Sequence, residues 1–296
     1  MTLLLLALLT QDPLETRSRG VLRVAVSPDG KLIATSGQDY LINLWDVAGK
    51  KQVGTLTGHD GDVNGMAFSP DGKTLVAGDL YKHVRVWDVA GRKQLKTYDV
   101  AGPVTSMGMG PDGRAYFGCR DGMIYAVAAE GGEPVTFRHE NEINGVAVTP
   151  DGKKVVGVDG GGVVIVYATA TAEIVKRVEH GDKVMSTAIS PDGKTFATGG
   201  GNGSVKLWDL EKVEAVAGFS CPGLDVNAVA FTPDGKSLVL GTFDGLFKVV
   251  DAKTGAERDS QKSQDSAVSH LAVSPDGKWA VTSSMEGIVK LWTLKK

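Results

Sequence analysis

The tripeptide Pro-Asp-Gly occurs seven times, starting at Pro28, Pro70, Pro111, Pro150, Pro191, Pro233 and Pro275, at intervals of 39 to 42 residues. A period of this length is the mark of a stacked or circular array, and it matches a blade of four short strands. The tripeptide is itself a turn: proline presets φ, aspartate bonds nearby amides, and glycine accepts positive φ.

Residues in register with the turn show that the repeat is built of strands. Seven positions before each proline stand Val21, Val63, Val104, Ile143, Val184, Val226 and Val268, all β-branched and suited to a pleated, buried strand. Three positions before it the residue is always small: Ala25, Ala67, Gly108, Ala147, Ala188, Ala230 and Ala272. An apolar set pinned to one register, with an invariably small member, predicts the innermost strand, where blades converge on an axis.

After the turn comes a second strand, and then a third that reads Ile42-Asn43-Leu44-Trp45-Asp46, Val84-Arg85-Val86-Trp87-Asp88 and Val205-Lys206-Leu207-Trp208-Asp209. These runs resemble the WD-repeat family, which is named for the Trp-Asp pair. Each tryptophan, Trp292 included, lies 17 residues after its turn proline. The resemblance extends from about Gln11 to Lys296. It implies an all-β, seven-bladed β-propeller of four-stranded antiparallel blades.

The family pattern also includes a histidine before the inner strand and an aspartate in the turn before the third. The histidine slot holds His59, His139 and His180 but Arg17, Val100, Pro222 and Gln264 elsewhere. The aspartate slot, six residues before the tryptophan position, holds Asp39, Asp121 and Asp244 but Tyr81, Gly161, Asn202 and Glu286 in the other blades. Val127, Tyr167 and Val250 stand where the remaining tryptophans would be. No blade carries the whole set, so the blades must rely more on apolar packing, or on water and backbone partners, because a partly satisfied buried polar network is costly.

Only four residues follow Trp292, too few for the outer strand of the seventh blade. Counting back from Pro28 places a substitute strand near residues 10–16, where Leu14 is in phase with Leu56. We expect this N-terminal segment to pair with Ile288 to Trp292 and close the ring, removing the open edges. Residues 10–296 then form one domain. Residues 1–9, with the leucine run Leu3 to Leu9, are too short to span a membrane. They read either as an atypical export leader, with no basic residue ahead of the run and no clean cleavage site after it, or as a structural strand or a frayed, disordered terminus. Localisation is correspondingly exported or cytoplasmic.

Composition argues against several chemistries. Lys and Arg number 32 against 35 acidic residues, which leaves no excess of cations for nucleic-acid phosphates. Cys119 and Cys221 form neither a disulfide framework nor a metal motif. His59, His139 and His180 fall in different blades and do not converge on one atom, and the turn aspartates recur one per blade, too far apart to share an ion, so no metal and no cofactor are expected. The glycine triplets at 160–162 and 199–201 lie between strands rather than opening a helix, unlike phosphate loops.

Function is therefore sought at the loops. Those leading into the inner strands and those between second and third strands open on one face. There the residue before the aspartate slot varies most: Gln38, Leu80, Arg120, Gly160, Gly201, Phe243 and Met285, with Tyr40 and Tyr81 beside them. Apolar and arginine side chains on rigid loops are the usual anchors of protein interfaces. The resemblance implies a non-enzymatic scaffold, monomeric by itself, that binds protein or peptide partners. The alternative is a propeller enzyme or small-ligand binder, lactonase-like or quinone-dependent-dehydrogenase-like. Fold alone does not separate the two; a convergent polar set in the channel would favour the second, and the inner-strand positions read instead as valine, alanine and other small residues, which favours the scaffold.

Overall fold

A computed structural model describes residues 13–14, 20–128, 133–221, 225–262 and 266–295. The leucine run and the slot residues Arg17, Pro222 and Gln264 lie outside the described residues. The described strands form seven antiparallel sheets of four strands each, arranged as the blades of a propeller. The first blade runs Val21–Val26, Leu32–Gly37, Ile42–Asp46 and Lys51–Leu56, in that order from the axis outwards. In the seventh, Val268–Val273, Trp279–Ser284 and Val289–Thr293 are joined by Pro13–Leu14, with Pro13 opposite Lys290 and Leu14 opposite Val289. Leu14 is buried against Val21, Trp45, Val281 and Val289, so one apolar cluster spans the first and last blades.

The turn chemistry is more complete than proline, aspartate and glycine. In the first blade Ser27 donates its hydroxyl to Asp29 Oδ1 at 2.7 Å and accepts the amide of Leu32. Asp29 also accepts the amide of Lys31, and Gly30 takes φ +70°. Ser69, Thr149, Ser190, Thr232 and Ser274 repeat the hydroxyl-to-aspartate bond. These bonds hold Asp29 below the usual carboxylate range, the Ser27 hydroxyl contributing first and the Lys31 amide next.

Blades pack by placing a small residue under the first side chain of the next inner strand. A Cβ on Gly118 would lie 2.4 Å from Ile143 Cγ2, and on Gly241 2.5 Å from Val268 Cγ1. Hydrogen bonds reinforce the same joints. Ser36, Ser186 and Asn227 donate to the carbonyls of Val63, Val226 and Val268 in the following blade. Thr105 and Asn144 do the same to Ile143 and Val184. The small position of the inner strand also faces its neighbour, less tightly: a Cβ on Gly108 would sit 3.0 Å from the carbonyl oxygen of Val146.

Candidate functional site

The family histidines act inside single blades, and the network is shared out rather than repeated. In the second blade His59 Nδ1 lies 2.6 Å from Asp79 Oδ2, both side chains being buried. Asp79 also accepts Arg85 Nη1 at 2.9 Å and the amides of Tyr81 and His83. Burial is the main influence pulling the His59 pKa down. On Asp79 burial pushes upward, but the hydrogen bonds from His59 and the His83 amide outweigh it and hold the carboxyl low. In the fourth blade His139 meets Asp159 at 3.1 Å. In the fifth, His180 and Trp208 Nε1 both bond Thr198 Oγ1, at 2.9 and 2.8 Å. Trp45 and Trp292 donate to Thr35 and Thr282, each at 2.9 Å, whereas Trp87 packs its ring 5.0 Å from that of His59.

The carboxylates that meet histidines are thus Asp79 and Asp159, at the ends of second strands, two residues upstream of the slot read from the sequence. The slot residues have a different task. Asp39 and Asp121 accept the amides of Leu41 and Met123, and Asp244 accepts the hydroxyl of Thr242. They cap the turn, because the strand has already ended and their side chains curl back on the local backbone. The aspartates of the Trp-Asp pairs are turn caps too: Asp46, Asp88 and Asp209 accept the amides of Gly49, Gly91 and Lys212.

At the rim, the two loop sets on the shared face are tied together. The amides of Gln38, Leu80, Arg120, Gly201 and Phe243 donate to carbonyls of Gly20, Asp62, Pro103, Lys183 and Asp225, each at the foot of an inner strand. Backbone is thereby fixed and the side chains project. Tyr40, Tyr81, Phe243 and Met285 are 42%, 61%, 53% and 55% exposed, so four large apolar groups crown one face. Gln38 and Arg120 are exposed also, while Leu80 is half-buried. The third residue of these turns is left-handed, and glycine in most blades, but it is Tyr40 in the first (φ +63°) and Lys82 in the second (φ +72°). A side chain there costs about 1 to 2 kcal/mol, and such strain clusters where function retains it.

Not all rim residues converge. Arg120, Phe243 and Met285 line a channel mouth of about 570 Å³, whereas Gln38, Tyr40, Leu80 and Tyr81 stand outside it. Tyr81 instead lies over the backbone of Gly61, where a Cβ would come within 2.5 Å of its ring. Arg120 is already engaged by Glu142 of the next blade at 3.2 Å, an exposed pair worth little in itself.

Sequence reasoning missed the channel wall. Every inner strand shifts register after its first residue, a bulge that breaks the two-residue alternation. The residues of that step, among them Arg23, Asn144, Asn227, Ser269 and His270, line a constriction of about 120 Å³ below the mouth. Polar residues one and two places after the β-branched position are the signal that could have exposed them. No three His, Cys, Asp or Glu side chains among the described residues are grouped to hold a metal ion. No helix of the described residues is long and apolar enough to cross a membrane.

Comparison with known proteins comes down on the same repeat. The family described as WD domain, G-beta repeat matches residues 11–46, 50–88, 173–209, 214–251 and 258–293, more than half of the chain. The matched unit 50–88 starts at the outer strand Lys51–Leu56 of one blade and ends at Asp88 in the third strand of the next. A segment of 40 residues is 48% identical to the general transcriptional corepressor TUP1 of Saccharomyces cerevisiae, covering 14% of this chain and 6% of that protein. Another of 48 residues is 42% identical to the U3 snoRNP-associated protein-like YAOH of Oryza sativa subsp. japonica, covering 16% and 9%. The matched segments span under a tenth of either relative.

Proposed function

The chain belongs to the WD-repeat family, and from that premise we propose that its loop-rich face captures protein or peptide partners and holds them without catalysing a reaction. The observation that carries this reading is the set of exposed Tyr40, Tyr81, Phe243 and Met285 on the turns of one face. Exposed apolar groups gathered on rigid turns fit a partner better than they fit water. The backbones of Tyr40, Tyr81 and Phe243 are already clamped, so little ordering entropy is lost there on binding. The similar proteins are described as a corepressor and as snoRNP-associated, and neither description names a reaction. A net charge of −3 supports a protein partner over a bare nucleic-acid backbone.

A small-ligand role is the second reading, and one observation favours it: the polar constriction lined by Arg23 and His270. Affinity purification of the full chain with mass spectrometry, run beside a variant with Leu80, Tyr81 and Phe243 replaced by serine, tests the first reading. A partner captured by the parent and lost by the variant supports it. Equal capture by a correctly folded variant moves the site elsewhere.

A further inference from the structure

Arg23 brings a positive charge into the channel and finds no carboxylate among the described residues lining the constriction. Its register position is occupied by Gly65 in the second blade, which presents no side chain between Arg23 and the third blade. Nη2 accordingly donates to the Thr105 carbonyl at 2.6 Å, and Nη1 donates to that of Leu22 at 3.0 Å. A guanidinium has five N–H donors, so three have no partner among the described residues.

Other polar atoms around it also lack partners. Ser106 Oγ, Ser269 Oγ and His270 Nδ1 are buried with no hydrogen bond, and all three residues line the same constriction. The charges at the mouth cancel in pairs, Arg120 with Glu142 and Lys183 with Asp225. Among the described residues that line constriction and mouth, one uncompensated cation remains. Its burial is costly, and this shows as a pKa pulled down to about 10. His270 is drawn down to about 3, first by burial and then by Arg23, so it stays neutral and adds no second charge.

We propose that the constriction below the rim is a binding site for a small carboxylate, held by the free N–H groups of Arg23 with the hydroxyl of Ser269 turning to donate to its oxygens. A single cation matches a monoanion, and the planar fork of a guanidinium matches two carboxylate oxygens. The volume of about 120 Å³ is several times the ~10–15 Å³ that one ordered water occupies, room for a few non-hydrogen atoms. Arg23, Asn144 and Ser269 line both constriction and mouth, which gives the ligand its way in. The carboxylate is either a free small acid or the end of an acidic peptide reaching down from the rim. The site goes beyond the rim reading and does not depend on it.

The test follows the Arg23 Nε–Hε resonance of the full chain, together with the backbone amide resonances of Asn144 and residue 269 that the variants retain, during titration with sodium acetate at constant ionic strength. The expected result is a saturable shift that sulfate and chloride do not reproduce. Arg23→Met weakens acetate binding about tenfold or more, and it should fold, because the charge it removes is unpaired. Ser269→Ala, which keeps Arg23, weakens binding by a smaller factor. A short peptide with a free C-terminal carboxylate and its amidated form then separate the sources. Tighter binding of the free-carboxylate peptide than of acetate assigns the site to a peptide end, and acetate binding alone assigns it to a free acid. Absence of a saturable shift, an equal response to sulfate, or undiminished acetate binding by Arg23→Met overturns the proposal. Loss of partner capture by the rim variant with acetate binding intact leaves it standing.

Discussion

His59 Nδ1 and Asp79 Oδ2, 2.6 Å apart and both shut off from solvent, tie the loop leading into the second blade to the end of that blade's second strand. Arg85 binds the same carboxylate and reaches on to Asp60 at 2.8 Å, so a turn of the rim face rests on one buried anion.

Removing that anion leaves the buried His59 imidazole without its carboxylate and the Arg85 guanidinium with the exposed Asp60 alone. Asp79→Ala is expected to cost about 3 to 5 kcal/mol in chemical denaturation. Asp39→Ala, which removes only a turn cap, should cost about 0.5 to 1.5 kcal/mol. Equal losses would contradict the assignment of Asp79, rather than the slot residue, to the network.

Blade-to-blade contact gives a second expectation. A methyl group on Gly118 meets the stiff, β-branched Ile143 at 2.4 Å, so Gly118→Ala should destabilise by about 1 to 3 kcal/mol. Thermal unfolding reads this directly, and Gly218→Ala, where a Cβ has nothing closer than 3.6 Å, serves as the control.

Acid should loosen the ring. Burial first, and then Lys206, pull the His180 pKa down to about 4, and burial likewise lowers His59 and His139. Unfolded histidine titrates near ~6.5, so between about pH 6.5 and pH 4 the unfolded chain binds more protons than the native one. Stability is therefore full above that window and falls as pH drops through it. His180→Gln should flatten the slope of stability against pH by up to roughly 1.4 kcal/mol per unit. An unchanged slope would show that His180 is protonated in the native state.

Tyr40 occupies a left-handed position that glycine fills in most other blades. Tyr40→Gly relieves that strain at the expense of a more flexible unfolded chain, so the melting temperature should hold or rise, by up to about 1 kcal/mol in stability. Partner capture should weaken at the same time. A destabilised variant would mean that the ring packs for structure.

The circular architecture was legible because each blade repeats its information locally: the turn proline, the β-branched residue seven places earlier and the tryptophan 17 places later belong to one short stretch. The exposed rim was legible for the same reason, since Phe243 and Met285 sit in turns whose register the repeat fixes. The channel was not. Arg23 bonds Thr105, 82 residues away, and its character depends on what seven separate strands present to one axis. The bulge after each first inner-strand residue also breaks the alternation by which inward and outward positions are told apart. Asp79 and Asp159 escaped notice because they occupy strand ends in only two blades, where no repeat points to them.

Among the described residues the exposed large apolar groups fall into two belts, the rim and the outer strands, where Leu95, Ile174, Val175 and Val216 are 45% to 58% exposed. Capture by these belts, compared in one experiment, is the most direct test of the functional account. Serine at Leu80, Tyr81 and Phe243 should abolish capture of the partner at an unchanged melting temperature, while serine at Ile174, Val175 and Val216 leaves capture intact. The reverse pattern, with capture kept by the rim variant and lost by the outer-strand variant, would contradict it.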